Sequence, residues 1–97
     1  MMTQYEVMEA AINTYGAEKQ TMVAIEEMSE LTKELIKNMR GRDNIVEITE
    51  EIADVMIMLK QLQMIYHIKP EPIMEFQKLK LDRLEQRMKG GTVNEHI

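Results

Sequence analysis

An all-α fold, with four helices packed as a bundle, is what this sequence predicts, and three observations carry the prediction. Glycine and proline are scarce, at four and two of 97 residues. The apolar set is dominated by Met, Ile and Leu, which favour helix over strand. Apolar residues also recur at spacings of three and four rather than in alternation. A chain of this length supports one compact domain, expected over residues 1–91, with residues 92–97 as a flexible tail because they lack any periodicity.

The first helix opens at Thr3-Gln4-Tyr5-Glu6, where a Thr N-cap and a Glu three residues on can satisfy each other's backbone donors. Its apolar face is Tyr5, Met8, Ile12 and Tyr15, and Gly16 is placed to end it. A second helix is expected from about Glu18 to Met39, with a core stripe of Ala24, Met28, Leu31, Leu35 and Met39 widened by Ile25 and Ile36. Gly41-Arg42-Asp43-Asn44 breaks it, and Asn44 is placed to cap a third helix. There Ile45, Ile48, Ile52, Val55, Leu59, Leu62 and Tyr66 form a heptad-like seam. A seam of this length requires a partner along it, which in so short a chain implies a homo-oligomer. Lys69-Pro70-Glu71-Pro72 separates the third helix from a fourth, since proline is tolerated only in a first turn. The fourth has Ile73, Phe76, Leu84 and Met88 as its inner face and Gly90-Gly91 as its end.

The formal net charge of −5 provides no broad basic field, so a nucleic-acid polymer is not an expected partner. There is no cysteine, hence no disulfide framework or thiolate metal site. The longest apolar run, Val55 to Leu59, is far short of the ~20 residues that cross a bilayer. With no leader-like N-terminus, a soluble cytoplasmic protein without a membrane partner is expected. The 11 methionines read as adaptable core filler.

Two acidic clusters stand out. Glu26-Glu27-Met28-Ser29-Glu30 lies on the second helix and Glu50-Glu51-Ile52-Ala53-Asp54 on the third. Residues three apart share a helical face, so Glu27 points with Glu30, and Glu51 with Asp54. Each pair sits one residue before the core stripe, which places the carboxylates at the edge of the seam rather than on a solvated face. Antiparallel packing through the Gly41 turn would set the two pairs across one groove. Four converging carboxylates repel one another and lose hydration unless a cation neutralises them. An all-oxygen ligand set suits Mg²⁺, with Mn²⁺ also acceptable. The plain alternative is that such stretches are solvated helix surface.

These motifs resemble those of the MazG-like all-α nucleoside triphosphate pyrophosphatases, whose signature is E-E-x-x-E followed further along by E-x-x-D. The similarity extends to Tyr15-Gly16 and Gln20 before the first motif, Leu31 after it and Val55 after the second, and covers roughly Tyr15 to Leu62. The resemblance implies a MazG-like bundle completed by oligomerisation, as a dimer or a dimer of dimers. It implies Mg²⁺ held by Glu27, Glu30, Glu51 and Asp54, with Glu26 in support. The implied reaction cleaves a nucleoside triphosphate substrate between its α and β phosphates, giving monophosphate and pyrophosphate. Family members often carry a basic fourth-helix motif that includes an Asn. Here that helix has Lys78, Lys80, Arg83 and Arg87 without the Asn, leaving Lys80 and Arg83 as candidate phosphate contacts.

Hydrolysing a phosphoanhydride needs charge neutralisation and an aligned water more than a covalent nucleophile, and Glu26 or Glu47 is placed to take the proton. Lys33, Lys37, Arg40 and Arg42 suit an ordinary solvated face and a favourable helix C-terminus. His67 and His96 have no partner at metal-ligand spacing. Two other readings keep the helices: a phosphoribosyl-ATP pyrophosphohydrolase, and a non-enzymatic adaptor whose seam binds another protein. A carboxylate-bridged di-iron bundle is disfavoured, because no Glu-x-x-His pair occurs.

Overall fold

The computed structural model describes residues 1–91 and 95–97, and among them the chain is all-helical. In order, the elements are α1 (Gln4–Tyr15), α2 (Ala17–Met39), α3 (Ile45–Ile65) and α4 (Pro70–Lys89). The contacts group into two compact units, Met1–His67 and Ile68–Ile97. In the first unit α2 packs on α3 along their lengths, and α1 packs against both. Of the tail, residues 92–94 fall outside the described residues, and Arg87 donates a hydrogen bond to the His96 carbonyl.

Local signals set most boundaries. Thr3 Oγ1 accepts from the Glu6 amide at 3.1 Å while Glu6 Oε1 accepts from the Thr3 amide at 3.0 Å, the capping box expected from sequence. Thr3→Ala is therefore expected to lower stability by about 1 kcal/mol in urea titration. Gly16, at φ 93°, closes α1 by donating to the Ile12 carbonyl at 2.8 Å and leads directly into α2. Gly41, at φ 101°, allows the reversal between α2 and α3. Pro70 and Pro72 both lie in the first turn of α4.

The faces of α2 and α3 differ from the sequence expectation. On α2 the inward positions are Gln20, Ala24, Glu27, Leu31, Glu34 and Asn38. On α3 and its N-cap they are Asn44, Ile48, Glu51, Val55, Met58 and Leu62, with Gln61 buried next to Leu62. Both sets follow the alternating three-and-four spacing of a packed seam, and both place carboxylates inside it. The expected α2 stripe of Met28, Leu35 and Met39, with Ile25 and Ile36, is instead exposed, Met39 at 85 %. Ile45, Ile52, Leu59 and Tyr66 of the expected α3 seam are exposed as well.

Asn44 also departs from expectation. It sits at the N-cap position of α3 but makes no side-chain capping bond; its amide turns back to α2. In α1, Met8 and Ile12 are half-buried whereas Tyr5 and Tyr15 are exposed. In α4, Phe76 and Met88 of the expected inner face are exposed. Among the described residues only Ala24 and Met58 are buried apolar residues, so much of the apolar surface there remains uncovered.

Candidate metal centre

The α2–α3 hairpin brings three of the candidate acids together. Glu27 from α2 and Glu51 and Asp54 from α3 each offer one carboxylate oxygen, all within 4.8 Å of one another. Glu51 and Asp54 approach from one helix because they are three residues apart, and Glu27 meets them because it occupies an inward position of the opposing helix. Glu27 and Glu51 are half-buried, and Glu51 Oε2 is a buried oxygen with no hydrogen-bond partner.

Electrostatics follow from this crowding. Burial first, then the charges of Asp54 and Glu51, a hydrogen bond with Asp54 and the charge of Glu30, push the Glu27 carboxyl above its usual value. Burial likewise leads in raising Glu51, followed by the charges of Asp54, Glu30, Glu34 and Glu50. Both groups resist ionising beside one another, and a bound cation would relieve that resistance.

The donor set fits a hard divalent ion. Three carboxylate oxygens, with no nitrogen or sulfur donor among them, are the ligand type that Mg²⁺ accepts. Glu30, the fourth expected ligand, lies outside the trio and pairs with Lys33 at 3.1 Å, although its charge is felt by both Glu27 and Glu51. Glu26 and Glu47 are exposed on α2 and α3. On α4, in the second unit, Lys80 is half-buried and Arg83 exposed. Lys33 and Lys37 are engaged in ion pairs with Glu30 and Glu34, in keeping with a solvated face.

One acid absent from the sequence reading belongs to this seam. Glu34 lies seven residues beyond Glu27 on the same inward stripe, with a side chain only 13 % exposed. Its carboxyl is held below the usual range by hydrogen bonds from Lys37, at 2.9 Å, and Asn44, at 3.1 Å. The seven-residue repeat from Glu27 is the signal that could have found it. No protein-family model matches the chain, nor does any curated protein or solved structure. Among the described residues no helix is long and apolar enough to cross a membrane.

Proposed function

We propose that this chain is a Mg²⁺-dependent nucleotide pyrophosphohydrolase that cleaves a nucleoside triphosphate to monophosphate and pyrophosphate. The observation that carries the reading is the group of Glu27, Glu51 and Asp54, crowded within 4.8 Å, with Glu27 and Glu51 half-buried and one Glu51 oxygen buried and unpartnered. Like charges in partial burial are unfavourable in isolation and become favourable around a cation. The spacing of the two acidic motifs, similar to that of MazG-like enzymes, adds the substrate class.

Glu27, Glu51 and Asp54 would hold the ion, with Glu30 completing the set on release from Lys33. When bound, Mg²⁺ supplies positive charge against the phosphates and acidifies water. Glu26 or Glu47, both exposed, would accept the proton from the attacking water. A pyrophosphate-release assay over a nucleotide panel that includes phosphoribosyl-ATP, with and without Mg²⁺, tests the reading. Absence of Mg²⁺-dependent release from every member would remove it.

The active form we propose is a homo-oligomer, a dimer or a dimer of dimers. Met22, Ile25, Met28, Leu35, Ile36 and Met39 leave one flank of α2 apolar and exposed, and Ile45, Ile52, Leu59 and Tyr66 do the same for α3. Such contiguous apolar surface is characteristic of a protein interface. Light scattering at micromolar concentration is expected to report a mass above the 11.4 kDa of one chain; an active monomer would overturn this assignment. The same surface also favours an adaptor that binds a different protein. In that case replacing the acids would leave partner binding unchanged.

A further inference from the structure

We infer that Asn44 is a positioning residue whose side-chain amide clamps α2 at Glu34 and so sets the α2–α3 register that brings Glu27 opposite Glu51 and Asp54. Asn44 is 2 % exposed, which is rare for a polar residue in a chain with so small a core. It stands at the start of α3, where an Asn would ordinarily use its side-chain oxygen to cap the helix. It makes no such bond. Its Nδ2 donates instead to two atoms of one residue on the other helix, the Glu34 carbonyl at 2.9 Å and Glu34 Oε1 at 3.1 Å. With two acceptors facing it, only the NH₂ end of the amide can point this way.

The clamp is specific because both bonds end on one residue. Sliding α3 along α2 by a single turn moves it ~5.4 Å and breaks both. Lys37 holds the second Glu34 carboxylate oxygen at 2.9 Å, so the acceptor is itself fixed. Burial strengthens these bonds and makes their loss costly.

The clamp is also in phase with the acids. Glu34 lies seven residues from Glu27 on α2, and Asn44 lies seven from Glu51 on α3. Two helical turns, ~10.5 Å, therefore separate the clamp from the carboxylates on the same seam. Few other directional contacts cross that seam: its remaining inward positions include Ala24, Leu31, Ile48 and Val55, whose packing is non-directional and tolerates sliding. The register matters functionally only if the carboxylates hold a cation, so this inference rests on the metal reading for its consequence, though not for its geometry.

The test uses the full chain, whose lack of cysteine allows clean labelling. Spin labels at K19C and T49C, exposed positions offset along the hairpin, report sliding as a change in distance. Labelled protein is diluted with unlabelled chain to remove signals between copies. In metal-free protein, Asn44→Ala is expected to shift or broaden the distance distribution by several ångströms, on the scale of a helical turn. Mn²⁺ affinity, read by titration well below melting, is expected to weaken at least ~10-fold, one decade per 1.4 kcal/mol. Thr3→Ala, which destabilises α1 without touching the seam, is expected to change neither quantity. Should Asn44→Ala fail to fold, Asn44→Asp keeps the volume and capping ability, removes the donors and is expected to give the same shift. A wild-type distance distribution in whichever variant folds would overturn the inference. If the unsubstituted protein binds no Mn²⁺, the metal reading fails while the distance measurement still decides the register.

Discussion

Glu51→Gln is expected to lower pyrophosphate release by at least ~10²-fold, the scale of removing one electrostatic element from a transition-state site. Glu51 occupies an inward position on α3, half-buried, with one oxygen in reach of Glu27 and Asp54 and the other buried without a partner. Glutamine preserves volume and helix propensity but offers a neutral, weaker ligand. The fold should survive, because the residue makes no ion pair or hydrogen bond that the amide would break. In metal-free protein the variant is expected to match or exceed the parent in melting temperature above the ordinary carboxylate range. The reason is linkage. The Glu51 carboxyl is raised in the folded state, so its contribution to stability is present below the unfolded value and is lost as pH rises through the folded one. The amide has no such loss. Circular dichroism, metal-free melts and the release assay together check the variant. Full activity in a folded protein would remove Glu51 from the site, and unchanged partner binding with no hydrolysis to lose would favour the adaptor.

Helix boundaries were legible because they rest on short-range chemistry: the Thr3–Glu6 box, the Gly16 terminus, the Gly41 turn and the prolines of the α4 first turn all act within a few residues. The acidic motifs were legible for the same reason, since i,i+3 spacing alone makes Glu51 and Asp54 neighbours. Which face of α2 turns toward α3 was not legible. Two stripes run along α2 one residue apart, Met28-Leu35-Met39 and Glu27-Glu34-Asn38, sharing Leu31 between them, and hydropathy alone selects the apolar one. The structure turns the polar stripe inward and leaves the apolar one exposed. Under the proposed function that choice would follow from a cation for the acids and a partner chain for the methionines, neither of which sequence periodicity encodes. Glu34 escapes motif reading because it lies outside both the E-x-x-E and the E-x-x-D motif, and Asn44 reads as a cap of its own helix because capping is the local use of that residue type.

Mg²⁺ or Mn²⁺ is expected to raise the melting temperature, and the gain is expected to grow with pH. An ion bound only by the folded state stabilises it by mass action, by about 2.7 kcal/mol at a hundredfold excess over its Kd. For a domain of this size that corresponds to a shift on the order of 10 °C. Protons and cations compete for the same carboxylates. Glu27 and Glu51 both have raised values in the metal-free fold, led by burial and by mutual repulsion with Asp54. As pH falls below the usual carboxylate range they become protonated, repulsion is relieved and a cation has little to neutralise, so the metal-dependent gain should vanish there. As pH rises through the raised values the protons leave, the metal-free protein loses their contribution, and the ion replaces them. Glu6 and Glu34 work in the opposite sense: their lowered values contribute stability above the unfolded carboxylate range that is lost as pH falls through the folded values. Glu6 takes no part in raising Glu27 or Glu51 and cancels when melts with and without metal are subtracted at each pH, whereas Glu34, whose charge helps to raise Glu51, cancels only in part. The difference curve should therefore rise from near zero below the usual carboxylate range to a plateau above the raised values of Glu27 and Glu51, and Glu51→Gln should flatten it. A difference curve that is flat in the unsubstituted protein would assign the acids to solvated helix surface, whereas a rise retained in full by Glu51→Gln would place the ion elsewhere.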